Sequence, residues 1–303
     1  MINLSYKNQV KLLLDVLPEV AKENCFALHG GTAINLFIRN LERISVDIDL
    51  TYVPIENRDD SLKNIAEALQ RIKSRLEKRI PLILVEHKRN KGKLLISKQR
   101  TQIKLEVNLV GRGTFLPPSK MPVCNKVQEK FDVFCTMPIV SKGQLFGGKI
   151  CAALDRQHPR DLFDIKYLLT NEGFTEEIKV GFLLCLLSSD RPIHEILAPR
   201  LQDQRLTMQN QFTGMTLEPF TYEDFEKTRE SLKDIIQQSL TLKDKTFLMT
   251  FQNLKPDWSV YNFKAFPAVR WKLQNLKKLE KNNLQKYQKQ SNLLENILGL
   301  FDR

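Results

Sequence analysis

The sequence has no CxxC pair, and none of its four histidines stands at metal-ligand spacing to a cysteine or to another histidine. Its five cysteines (Cys25, Cys124, Cys135, Cys151 and Cys185) are scattered and odd in number. That argues against a disulfide frame or a zinc site and for reduced thiols in a cytoplasm. Long apolar runs are missing too. The longest, Gly181 to Leu187, is far short of the ~20 residues that cross a bilayer, so no membrane partner is expected. No basic start is followed by an apolar stretch, so no secretory leader is expected either. There is no internal repeat and no low-complexity tract.

What is present is ordinary globular composition: 303 residues, 42% hydrophobic and 27% charged, which excludes wholesale disorder. The length allows two domains. The net charge of +12 points to a polyanionic partner. It is unevenly spread. Twelve basic residues and only Glu77 and Glu86 fall between Arg71 and Lys104, and nine basic against three acidic residues fall between Lys264 and Arg303. Phosphates are drawn to such runs by counterion release.

Hydrophobic spacing predicts a helix over Tyr6–Lys22, a strand at Phe26–Leu28, and then a helix from Thr32 to about Asn40 with Thr32 as its N-cap. Val46–Val53 alternates as a strand, Asp59–Lys78 reads as a helix, and 82–85, 93–97 and 102–110 read as strands. The prolines at 117, 118 and 122 mark a loop. Helices follow at Gln144–Arg156 and Arg160–Asn171, and the pattern stays helical to one long basic helix over Val269–Leu300. An α/β (α+β) domain over residues 1–137 followed by a mostly α-helical domain over 138–303 is therefore expected.

Asp47 and Asp49 lie two apart on a predicted strand, so both carboxylates point to one face while Val46, Ile48 and Leu50 point to the other. Adjacent carboxylates repel, and a cation relieves them; oxygen ligands suit Mg²⁺. Two solvated aspartates on a surface strand would give the same pattern. Two further features favour the metal. Gly30-Gly31-Thr32 ends 15 residues before Asp47, at a strand-to-helix turn where a phosphate can approach the backbone. The alternating segment Gln102–Val110 sets Lys104, Glu106 and Asn108 opposite an apolar face, so Glu106 can supply a third carboxylate.

Glycine turn, DxD strand and later acidic strand, in that order, resemble the minimal nucleotidyltransferase fold of the DNA polymerase beta type. More of the chain sharpens the likeness. His29-Gly30-Gly31-Thr32-Ala33 with Arg43-Ile44-Ser45-Val46-Asp47-Ile48-Asp49-Leu50 resembles the opening motif of the AbiEii/AbiGii nucleotidyltransferase toxins, the MenT toxins among them. Lys104–Asn108 followed by Gly111–Thr114 is similar to their acidic strand. Gly147–Arg156 and Arg160-Asp161-Leu162-Phe163-Asp164 are similar to their third and fourth motifs. The likeness covers about residues 26–170. It implies three carboxylates (Asp47, Asp49 and Glu106) around two Mg²⁺ ions, with an NTP as substrate. Gly30, Gly31, Thr32 and Ser45 would be at the triphosphate, and Lys149 would stand against developing phosphate charge. Asp164 and, less directly, Asp161 would come from the helical domain; Asp155 and Arg156 carry less weight. Ser45 could equally be a site of modification, and His29 reads as a packing residue. The departure from the family is the third acid, Glu where Asp is more common.

The resemblance implies a toxin of a toxin–antitoxin or phage-defence system, a cognate antitoxin, and an RNA acceptor, the 3′ end of tRNA, for which the basic window Arg71–Lys104 is independently suited. The rival readings are a nucleotide- or RNA-binding protein without catalysis, and a transferase acting on a small molecule or a protein hydroxyl.

Overall fold

The computed structural model describes residues 4–216 and 218–300; Arg303, counted in the C-terminal basic run, lies outside them. The chain divides into two compact units, Met1–Ser141 with Gln211–Pro219, and Lys142–Asn210 with Phe220–Arg303. The first unit is mixed α/β and the second is helical.

In the first unit the order is α1 (Leu4–Val20), β1 (Phe26–His29), α2 (Gly30–Ala33), β2 (Asp47–Tyr52), α3 (Arg58–Arg79), β3 (Ile83–Lys88), β4 (Lys93–Lys98), β5 (Thr101–Asn108), β6 (Ser119–Pro122), α4 (Asn125–Phe131) and β7 (Thr136–Ile139). The strands form one sheet in the order β3-β4-β5-β2-β1-β7-β6. β2 runs parallel to β5 and β1 to β7; the other neighbours are antiparallel. Alternation dictates the two faces. Ile48, Leu50, Leu94, Ile96, Ile103, Leu105 and Val107 are buried, as are the stripes Val10, Leu13, Leu14 and Leu17 of α1 and Ile65, Leu69, Ile72 and Leu76 of α3. These helices pack on the sheet, α1 against β5 and α3 against β3. Asn57 caps α3 by accepting from the Asp60 N–H, and Asp59, Asp60, Lys78 and Arg79 place charge to suit the helix dipole.

The second unit runs α5 (Lys142–Asp155), α6 (Pro159–Asn171), α7 (Glu176–Ser188), α8 (Ile193–Leu197), α9 (Arg205–Gln211), α10 (Tyr222–Ser239), α11 (Leu242–Gln252), α12 (Pro267–Asn282) and α13 (Leu284–Leu298). The last residue of α9 falls in the first unit. α5 and α7 cross backbone to backbone. A Cβ on Gly147 would sit 2.3 Å from the Gly181 carbonyl carbon, and one on Gly181 would sit 2.0 Å from the Gly143 carbonyl oxygen. Glycine is required at this crossing because no side chain fits. Buried Lys272 of α12 donates to the carbonyls of Leu186, Ser189 and Arg191 at the end of α7, and burial pushes its pKa down to about 8.

Four expectations are corrected. The helix after β1 starts at Gly30, with His29 at its N-cap and no side-chain cap; Thr32 lies inside it, and the segment continues as a π-helical turn over Ile34–Ile38. The proline-marked loop contains β6, an edge strand, where a missing N–H costs no ladder bond. α4 and β7 had no signal because each is too short for periodicity to register. The long C-terminal helix is two helices broken at Asn283, which leaves helical geometry (φ −153°, ψ 77°) and caps α13 through the Lys286 N–H. No helix of the described residues is long and apolar enough to cross a membrane.

Candidate active site

The sheet register brings two acidic segments level. Along the parallel pair β2/β5, Asp47 lies beside Lys104 and Asp49 beside Glu106. All four are on the face opposite the buried Ile48, Leu50, Leu105 and Val107, and all four are half-buried. On the other side of β2, His29 of β1 is level with Asp49. On the other side of β5, Lys93 of β4 is level with Glu106.

The glycine turn closes over the same end of β2. Gly30 adopts a left-handed conformation (φ +73°), and a Cβ there would lie 2.6 Å from Asp49 Oδ2. The Asp49 carboxylate takes the place that a side chain at position 30 would fill. The pair Asp47 and Asp49 offers hard oxygen donors on one face, which fits one Mg²⁺ completed by phosphate oxygens and water. Gly31 is packed as closely: a Cβ would lie 2.6 Å from Arg43 Nη2 and 2.9 Å from Ser45 Oγ. Thr32 is fully buried, and its hydroxyl lies within bonding distance of Ser45 Oγ (3.0 Å) and of the Asp47 carbonyl. Its side chain therefore ties the turn to the start of β2, and the groups it leaves to a phosphate are backbone ones.

Glu106 has its own counter-charges. Its Oε2 is 3.2 Å from Lys93 Nζ and 3.1 Å from Lys104 Nζ. Burial works to raise its pKa, but hydrogen bonds and charge from Lys104 and Lys93 outweigh it and hold the carboxyl below its ordinary value. For Lys104, burial works downward, and the charge of Asp47, the bond to Glu106 and the charge of Asp49 together raise the pKa. Among the described residues no three His, Cys, Asp or Glu side chains converge to hold a single ion.

The helical unit holds a second charged cluster. Lys149 lies mid-way along α5 and is buried. Its Nζ is 2.9 Å from Asp161 Oδ1 and 3.0 Å from Asp164 Oδ2, both on α6 and both buried. Arg156 reaches Asp161 through Nε (2.6 Å) and Nη2 (3.0 Å). Burial would raise the Asp161 pKa; the Lys149 charge and the Arg156 bond reverse that and hold it well below the carboxylate range. His158 caps α6 by accepting from the Arg160 N–H, and Pro159 opens the helix. Asp155 pairs instead with Arg191 at 2.8 Å.

The basic window is less free than its sequence suggests. Arg71 and Arg75 bond Glu23, and Arg75 and Arg79 bond Glu19, with Glu19 and Glu23 buried at the C-terminal end of α1. Lys73 pairs with Glu77 and Lys88 with Glu86. A window count misses acids that the fold brings in from 50 residues away. Among the described residues Arg89 and Lys91 have no such acid; they lie in the short turn joining β3 to β4, where Lys93 begins the strand beside Glu106. Lys98 and Arg100 sit at the opposite end of β4.

The sequence alone assigns Arg43 no role. It is buried, its Nη1 donates to the Ile44 carbonyl at 2.9 Å, and it lies against Gly31 beside Ser45. Its signal in the sequence is a cation four residues ahead of Asp47, beside Ile44 and Ser45. All five cysteines are free. Burial pushes Cys25 and Cys135 up to about 11 and Cys185 to about 12, so these three thiols are not nucleophiles at neutral pH.

The sequence pattern of a family described as "Nucleotidyl transferase AbiEii toxin, Type IV TA system" matches residues 11–275. No curated protein matches the chain. Among solved structures, MenT4, a nucleotidyltransferase toxin from Mycobacterium tuberculosis H37Rv, is similar over 90% of this chain and 93% of its own, with a TM-score of 0.60 and 15% identity. At that identity the likeness is one of fold.

Proposed function

The chain belongs to the AbiEii family of nucleotidyltransferase toxins of type IV toxin–antitoxin systems, and from that premise we propose that it moves an NMP group from an NTP onto an RNA hydroxyl, the 3′ end of tRNA, in a Mg²⁺-dependent reaction. A cognate antitoxin would restrain it, in a toxin–antitoxin or phage-defence setting in the cytoplasm. The observation that carries the reading is the register of β2 against its neighbours: Asp47 and Asp49 on one open sheet face, with Gly30 shaped around Asp49.

Asp47 and Asp49 would hold Mg²⁺, which when bound neutralises triphosphate charge and polarises the α-phosphorus. The backbone at Gly30 and Gly31, with Ser45 and Arg43 beside it, would receive the triphosphate. The acceptor hydroxyl attacks the α-phosphorus; the new O–P bond replaces the bond to the β-phosphate bridging oxygen, pyrophosphate leaves, and the hydroxyl proton passes to water. The family motif also implies a phosphate role for Lys149, whose ammonium is held by Asp161 and Asp164. Arg89 and Lys91 would steady the RNA backbone by phosphate contacts.

The test is purified protein with Mg²⁺, total RNA and each α-labelled NTP in turn. Label from one nucleotide should reach one RNA size class, and Asp47→Ala should abolish it. No label in any species, from the unmodified chain or from Asp47→Ala, would leave a binding protein without catalysis; label on protein or small molecules alone would move the acceptor to those classes.

A further inference from the structure

Two lysines stand where a second metal ion would be expected to work. Glu106, level with Asp49, has one carboxylate oxygen within 3.2 Å of both Lys93 and Lys104. Lys104 is itself level with Asp47 on the adjacent strand, so its side chain leaves the sheet on the acidic face, with its ammonium 3.1 Å from Glu106 Oε2. Three carboxylates and two ammonium groups leave that face with a single net negative charge. One divalent ion already overcompensates it. A second ion bound through Glu106 would sit beside both lysines, where like charges repel.

Resting on the nucleotidyltransferase reading, we propose that this site takes one divalent cation, on Asp47 and Asp49, and that Lys104 supplies the second positive charge as a built-in group held in place by Glu106. Glu106 is then a positioning residue for Lys104 and not a metal ligand. This also accounts for glutamate in place of the more common aspartate: the extra methylene lets a strand residue reach sideways to both lysine heads.

Mn²⁺ binding to the full chain, followed by the loss of the free-ion electron paramagnetic resonance signal, tests this without reference to turnover. The titration is run alone and with the α,β-methylene analogue of each NTP. One Mn²⁺ per chain is expected in the complex with nucleotide. Asp47→Asn should weaken it by about tenfold or more, and Glu106→Gln should leave it within about threefold. Lys104→Met should admit a second ion, with Lys104→Gln as the milder partner should the first variant fold poorly. Two ions in the unmodified chain, or loss of the bound ion in Glu106→Gln, would overturn the one-ion assignment while leaving the transferase reading standing. No ion bound with any nucleotide, and no effect of Asp47→Asn, would overturn both.

Discussion

The missing β-carbon of Gly30 and the carboxylate of Asp49 occupy the same space: a methyl group there would stand 2.6 Å from Asp49 Oδ2, closer than any real contact. The glycine also holds φ at +73°, a region costing an L-residue ~1 kcal/mol or more. Gly30→Ala is therefore expected to lose about tenfold or more in transfer rate by pushing Asp49 off its position, with only ~1–2 kcal/mol lost in stability. Single-turnover transfer from labelled NTP, beside urea unfolding of the same variant, separates the two effects. Unchanged transfer would mean that the Asp49 position is not tied to the turn.

Lys149 is the hub of a buried ion cluster, with both its partners 1% exposed. Lys149→Met removes the buried cation that Asp161 and Asp164 share in a low-dielectric setting. The expected cost is about 3–5 kcal/mol, read from the urea midpoint. Lys149→Met combined with Asp164→Asn should recover part of it, since one uncompensated charge is then gone. A cost near zero for the single variant would show that the cluster is solvated.

The AbiEii motifs and the paired carboxylates were legible because both rest on local order: a glycine turn, and two alternating strands with a fixed spacing between them. Side-chain partnership was not. The acids that neutralise Arg71, Arg75 and Arg79 come from α1 (Glu19) and from the turn after it (Glu23), and the lysines that hold Glu106 come from β4 and from its own strand. Asp161 and Asp164 showed their common face through i,i+3 spacing, but their joint partner Lys149 is on α5. The break at Asn283 was hidden because Asn keeps the polar rhythm of the helices on either side of it.

Asp161, Glu19 and Glu23 all have folded-state pKa values below their ordinary ones of 3.8, 4.5 and 4.5: burial raises each, and paired cations outweigh it. For a carboxyl with a depressed folded pKa, the unfolded chain binds the proton first as pH falls. The stability these groups contribute is thus present above about pH 4.5 and is lost progressively below it. The urea midpoint should hold level from pH 7 to about 5 and drop beneath that. Asp161→Asn should make the acid drop shallower while lowering the plateau. An acid limb identical in the variant would remove Asp161 from its cause.

Of the basic window, only some cations are available to a nucleic acid. Among the described residues Arg89 and Lys91 have no carboxylate partner, and they lie in the turn beside the strand end that carries Lys93, whereas Arg71 and Arg75 are committed to Glu23. Arg89→Ala and Lys91→Ala should therefore each weaken RNA binding across sequences and lower the slope of log affinity against log salt by about 1, with unfolding unchanged. Arg75→Ala should do the opposite. It would leave Glu19 and Glu23 short of a partner and lower stability by roughly 1–3 kcal/mol, while the salt slope stays as it was. Binding of labelled tRNA at four salt concentrations, with urea unfolding alongside, reads both. If Arg75→Ala lowered the salt slope as much as Arg89→Ala, the ion pairs to α1 would have to open for RNA, and the acceptor surface would extend along α3 instead of ending at the β3–β4 turn.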